Sequence, residues 1–227
     1  MRYHVLLTAA MFAATYASPV TAQGGMAGMN MDPTNKIAGS GKLPTGWLNR
    51  FDDPTATLSK IEMLQVGSSL HFRSGPAAIY YNPRDVAKGE YTVSATFLQA
   101  KTMQHEAYGL FVGGANLQDA TQDYLYFVIR PSDGSILISH RAGNGSPTAL
   151  VAMTPDAAVH RDDPTTGAAT NVLAIHVGED SVHFFVNGRQ VRAFPKSAVG
   201  GAATSGQVGL RVNHNLDITV EGFGIRK

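Results

Sequence analysis

Residues Val182–Pro195 read VHFFVNGRQVRAFP. Val182, Phe184 and Val186 alternate with His183 and Phe185, and Val191 and Ala193 face back from the run that follows. Strict alternation is the pattern of a strand with one buried face. Asn187-Gly188 lies between the two runs, and Asn-Gly accepts the positive φ angles that a tight hairpin turn requires. The stretch is a β-hairpin.

Its neighbours extend the pattern. Upstream, Asn171–Gly178 (NVLAIHVG) sets Leu173, Ile175 and Val177 on one face. Downstream, Gly206–Asn213 (GQVGLRVN) points Val208, Leu210 and Val212 inward and Arg211 and Asn213 outward. Strands are expected at 47–52, 60–66, 69–74, 77–82, 90–100, 106–114, 122–130, 135–141, 148–153, 171–178, 181–187, 190–195, 206–213 and 216–226. Gly67-Ser68, Asp133-Gly134, Gly143-Asn144-Gly145 and Glu179-Asp180 punctuate them with turn chemistry. No repeat of fixed length is present, which argues against a propeller or solenoid. About fourteen strands in one domain imply an all-β fold: a two-sheet antiparallel β-sandwich or a barrel.

The order of these elements resembles the concanavalin A-like jelly-roll superfamily. The matching residues are Val186-Asn187-Gly188, Gly206-Gln207-Val208-Gly209-Leu210 and Val220-Glu221-Gly222-Phe223, with Tyr91–Phe97 and Tyr108–Gly113 as earlier sheet strands. The resemblance covers residues 47–227. It extends to laminin-G-type modules, legume-type lectins and β-glucanases, and in pattern is nearest to bacterial secreted domains of the 3-keto-disaccharide hydrolase type. It implies a sandwich of the jelly-roll kind, with a ligand groove on the concave face of one sheet.

The N-terminus has the parts of a secretory signal: Arg2, the short apolar run Val5–Ala17, and small residues at Val20-Thr21-Ala22. The run is too short for a permanent span, which needs roughly 20 residues. Residues 1–22 are therefore expected to be cleaved near Ala22, giving a secreted or periplasmic protein. A Gly/Met-rich leader over 23–46 would precede the sandwich domain at 47–227. The chain has no cysteine, so no disulfide or thiolate metal site is available. A net charge of +1, without a Lys/Arg cluster, argues against nucleic acid and anionic membrane surfaces as partners.

Hydrolytic motifs are absent. None of the five glutamates, Glu62, Glu90, Glu106, Glu179 and Glu221, has an acidic partner two residues away. A retaining glycosidase of this fold needs two closely set carboxyl groups. The polar candidates fall in three places. Gln104-His105-Glu106 precedes one strand, and Glu106 with His105 or His214 forms a candidate acid–base set. Tyr124, Tyr126 and Arg130 share a face of YLYFVIR, opposite Leu125, Phe127 and Ile129. Arg141, Arg211 and Asn213 complete a candidate ligand-binding face, on which tyrosines would stack against sugar rings while Arg and Asn bind hydroxyls. Arg130 has Glu106 or Asp123 as its expected ion-pair partner.

For metals, Asp162-Asp163, Asp119 and Asp123 are candidates for calcium, though calcium needs six or more oxygen ligands and Asp-Asp-Pro is also a turn opener. Met26, Met29 and Met31 offer soft thioethers to Cu(I). Neither set makes a complete site, so no cofactor is expected, with calcium left as an option. The sequence favours binding of carbohydrate or another small polar ligand on a concave sheet face. The alternatives are a hydrolase or lyase acting on a glycoside or modified disaccharide, and a cell-envelope interaction module.

Overall fold

The computed structural model describes residues 37–100 and 106–227. The expected signal at 1–22, the leader as far as residue 36 with Met26, Met29 and Met31, and Gln104 and His105 lie outside the described residues. Among those described there are fifteen strands and two single 3-10 turns, Leu58–Lys60 and Lys196–Ala198. The strands are β1 (Leu48–Phe51), β2 (Ile61–Val66), β3 (Ser69–Ser74), β4 (Ala78–Tyr81), β5 (Val86–Ala87), β6 (Tyr91–Gln99), β7 (Tyr108–Ala115), β8 (Asp123–Arg130), β9 (Ser135–Ala142), β10 (Thr148–Pro155), β11 (Ala169–Val177), β12 (Ser181–Val186), β13 (Arg189–Pro195), β14 (Gly206–Val212) and β15 (Leu216–Arg226). The one strand without a sequence signal is β5, whose two residues are too few to show alternation. No helix in the described residues is long and apolar enough to cross a membrane.

The strands form two antiparallel sheets packed as a sandwich. One has the order β1-β4-β14-β7-β8-β9-β10, with β5 beside β14, and the other has β13-β12-β11-β6-β15-β3-β2. Period-2 burial explains the contact between them. Leu173, Ile175 and Val177 from β11 meet Val208, Leu210 and Val212 from β14, and Leu125, Phe127 and Ile129 from β8, in one core. Phe127 and Phe184 cross edge to face with centroids 5.4 Å apart. Residues 37–46 form an irregular strap: Gly39 N–H donates to the Ser59 carbonyl at 2.8 Å, and Leu43 and Trp47 pack on the core.

The two sheets differ in their second faces. In the seven-stranded sheet β6, β11 and β12 alternate between buried and open positions, so that face meets solvent. In the eight-stranded sheet, β7 and β8 are buried on both faces. The sheet covers its own far side by curling. β1 and β9 are five strand spacings apart, about 24 Å if the sheet were flat. Yet Arg50 of β1 donates to Asn144, in the turn after β9, at 2.7 Å. Register shifts in β7 and β14 mark where the ladder bends.

A second apolar cluster fills the inside of the curl: Ile79, Tyr81, Phe111, Leu117, Tyr124, Tyr126 and Val128. Gly209 makes room for it, because a Cβ at that position would run into the Phe111 ring and the Tyr80 carbonyl. The Asn187-Gly188 turn does more than join two strands. Asn187 sits at φ 51°. Its side chain donates to Ala158 O and to Asn171 Oδ1, both at 2.8 Å, and accepts the Val172 N–H at 2.8 Å. Fully buried Asn171 passes the link on, exchanging two hydrogen bonds with the His160 backbone. The hairpin turn thus latches the loop at 156–168 onto the seven-stranded sheet.

Two substitutions test these supports. Asn187→Gly keeps the positive φ but removes three hydrogen bonds, and it is expected to cost about 2–4 kcal/mol in denaturant unfolding. Gly209→Ala should lose about 1–3 kcal/mol in the same measurement, because the Phe111 ring has to leave its seat.

Candidate functional site

The rim of the curled sheet carries most of the polar residues singled out in the sequence. β14 projects Arg211 from the face opposite Leu210, and Asn213 follows at the strand end. Asp52, directly after β1, is brought opposite by the antiparallel β1–β4–β14 ladder and held by its N–H bond to the Ala77 carbonyl, at 3.0 Å. The Arg211 guanidinium grips Asp52 with two parallel N–H donors, one of them at 2.6 Å, and its Nε donates to Asn213 Oδ1 at 3.1 Å. Arg141 reaches in from β9 and brings one terminal nitrogen to 3.6 Å from the same carboxylate. The Arg211 guanidinium also lies over the Tyr126 ring, 5.7 Å from its centroid.

Arg211 is buried, and burial alone would lower its pKa; the Asp52 charge and hydrogen bonds outweigh this and hold it above the usual arginine value. Burial likewise pushes the Asp52 carboxyl up, but Arg211, then Arg141 and His214, bring it below the ordinary carboxylate range. Two guanidinium groups therefore share one carboxylate. Arg141 spends one terminal N–H on the Gly145 carbonyl at 2.6 Å. Its buried Nε has no hydrogen-bond partner among the described residues.

Tyr124 and Tyr126 lie next to this cluster but not on an open surface. Tyr81, Phe111, Tyr124 and Tyr126 form a chain of rings with successive centroids 6.4, 5.3 and 5.8 Å apart. Tyr124 is 1% exposed and Tyr126 8%. Alternation along YLYFVIR suggests stacking walls for a ligand, but the curl of the sheet makes both rings part of the packing. The loop after β7 roofs one end of the row, with Leu117 buried and Gln118 donating to the Tyr81 hydroxyl at 2.8 Å. Burial pushes the Tyr124 phenol up, so its hydroxyl stays protonated.

Arg130 belongs elsewhere. It pairs with Asp133 in the turn after β8, not with Glu106 or Asp123, because the Asp133-Gly134 turn folds back on the strand that precedes it. Glu106 and His214 do come together: the carboxylate accepts the His214 backbone N–H at 3.1 Å and lies 3.6 Å from its Nδ1. That carboxylate fixes the turn after β14. Asp123 is committed to His140, at 2.9 Å. Asp163 accepts N–H bonds from Thr165 and Thr166 at 2.9 and 2.7 Å, and these hold its carboxyl below the ordinary range. Among the described residues no three His, Asp or Glu side chains converge on a common point suited to a metal.

Asp52 carries no local signal in the sequence. It sits in Asp52-Asp53-Pro54, which reads as an ordinary turn opener, and only the curl gives it two arginines. The signal for the buried tyrosines was available: YLYFVIR is apolar on both faces, the pattern of a strand covered twice.

No protein-family model matches the chain, and no curated protein does. Solved structures match in fold. A carbohydrate-binding module, CBM66 from Bacillus subtilis, superposes with a TM-score of 0.54 at 11% identity, over 84% of this chain and 99% of that one. A Bacillus subtilis protein of unknown function with a galectin-like fold gives 0.57 at 14% identity, over 79% and 88%. At such identities the likeness establishes the fold alone, a two-sheet β-sandwich of the jelly-roll kind.

The Asp52–Arg211 pair sets an acid limit on stability. Because the folded Asp52 carboxyl lies below its unfolded value, its contribution is complete above about pH 4 and is lost as pH falls through the folded value. Asp52→Ala strands a buried guanidinium and is expected to cost about 3–5 kcal/mol near neutral pH. The acid limb of its stability profile should be flatter than that of the parent.

Proposed function

We propose that the protein is an exported, non-catalytic β-sandwich that binds carbohydrate at the rim of its curled sheet. The observation that carries the reading is the convergence of two guanidinium groups, Arg141 and Arg211, on the carboxylate of Asp52 at that rim. Asn213 and His214 border the same rim, each partly exposed, beside the one-third-exposed Asp52 side chain. Such a set presents charge-assisted donors and acceptors to vicinal hydroxyls or to a sugar carboxylate. The donors are rigid before any ligand arrives, so little ordering entropy opposes binding. Carbohydrate is also the ligand class named for CBM66. Export is supported by the signal-like N-terminus, and the nearest-pattern resemblance to secreted bacterial domains agrees with it.

In this reading Tyr126 acts from below. It braces the Arg211 guanidinium, which aims its hydrogen-bond donors. Glu106 orients the His214 backbone and is a positioning residue.

The test is thermal unfolding against neutral and acidic oligosaccharides. A ligand at one hundred times its Kd adds about 2.7 kcal/mol and should raise Tm visibly. Arg141→Gln should weaken binding at least roughly tenfold, the worth of a charge-assisted hydrogen bond. Arg130→Gln, remote and paired with Asp133, should leave it unchanged. If no sugar of either class raises Tm, or if Arg141→Gln binds as the parent does, the reading fails.

A further inference from the structure

The open face of the seven-stranded sheet carries a recess that the rim site does not use. Across β12, β11, β6 and β15, the register aligns Phe185, Ala174, Ser94 and Gly224 in one row. Three of these four are small, so the row is a floor, and the Phe185 ring closes one end of it. Val172, Thr96 and Glu221 align on one side, and His176, Thr92 and Arg226 on the other. Each flanking row lies two residues from the floor, so the walls stand about 13 Å apart along the strands. The register shift in β15 between Glu221 and Gly224, with Gly222 at φ 61°, lets the backbone bulge beside the floor. The trough so formed has a volume of about 320 Å3, at the small end for ligand sites.

Its chemistry is specific. Phe185 is held upright by His183, whose ring stacks on it at 6.4 Å and is itself fixed by Ser181 and Gln190. His176 is fixed by Thr92 at 3.0 Å. The walls carry the hydroxyls of Thr92 and Thr96, and the floor carries that of Ser94. At the end away from Phe185, exposed Glu221 and Arg226 face one another from opposite walls, an acceptor and a donor. β6 and β11 are paired on both sides, so a peptide lying in the trough has no free strand edge there to pair with. An aromatic end wall, hydroxyl sides and one group of each charge fit a ring with an apolar face and hydroxyl edges.

We propose that this trough is a second binding site, for a neutral saccharide whose ring packs against Phe185 while its hydroxyls bridge Glu221, Arg226 and the threonines. The site stands on its own residues and does not depend on the rim reading.

The experiment follows the imidazole proton resonances of His176 and His183 in the full chain. The titrants are cello-, xylo-, laminari- and malto-oligosaccharides at millimolar concentration. At least one series is expected to shift both histidines together. Phe185→Ala should weaken that response roughly tenfold, and Ser94→Trp, which fills the floor from the solvent side, should abolish it. Arg141→Gln should leave it intact, which separates this site from the rim. The proposal is overturned if no series moves the two histidines, if the response survives both trough substitutions, or if it disappears in Arg141→Gln.

Discussion

The structure depends on one sheet hiding both of its faces. A strand such as β8, apolar on two sides, cannot leave either to water without exposing aromatic surface. The eight-stranded sheet therefore bends until β1 meets the turn after β9, and the enclosed space fills with its own rings. The bend also carries charge inward. Arg211 points into that space and would be costly there alone; Asp52 offsets the cost only because the curl delivers it. A buried pair of this kind adds little net stability but penalises any arrangement in which the partners miss each other. It therefore favours this curvature over a flatter one.

The seven-stranded sheet shows the complementary behaviour. Its central strands β6, β11 and β12 alternate between buried and open positions, and around Phe185 the outer face of β6 and β11 carries Thr92, Ser94, Thr96, Ala174 and His176. Small residues aligned across three strands, closed at one end by Phe185 of a fourth, make a recess without any loop to shape it. The surroundings are rigid, because interior strands cannot move without breaking ladders on two sides. The sandwich therefore presents two kinds of surface: a rim of charged donors on the curled sheet and a trough of hydroxyls on the open one.

What could be read in advance follows from how local each cause is. The hairpin at Asn187-Gly188, the core triplets of β8, β11 and β14, and nearly all strand positions come from alternation and turn chemistry, which act over a few residues. β5 was invisible because two residues have no period. Which outward face would be covered was harder, since curvature is a property of five strands together. Tyr124 and Tyr126 were rightly put on one face and lie buried on it. Arg141, Arg211, Asn213, Glu106 and His214 gather at one rim, whereas Arg130 turns aside to an aspartate three residues away. Asp52 had no local signal at all, because its partners are far along the chain.

The strand order has a consequence in time. β14 lies between β4 and β7 in one sheet, and β15 lies between β3 and β6 in the other. The two strands latest in sequence are thus interior in both layers, and each sheet is split in half until they arrive. A growing chain can form its hairpins early, but it cannot close either layer or bury the common core before β15 has been made. Contacts of such long sequence separation fold slowly. Closure of both layers is therefore tied to the same stretch of chain, residues 206–226, which supplies the missing interior strand of each.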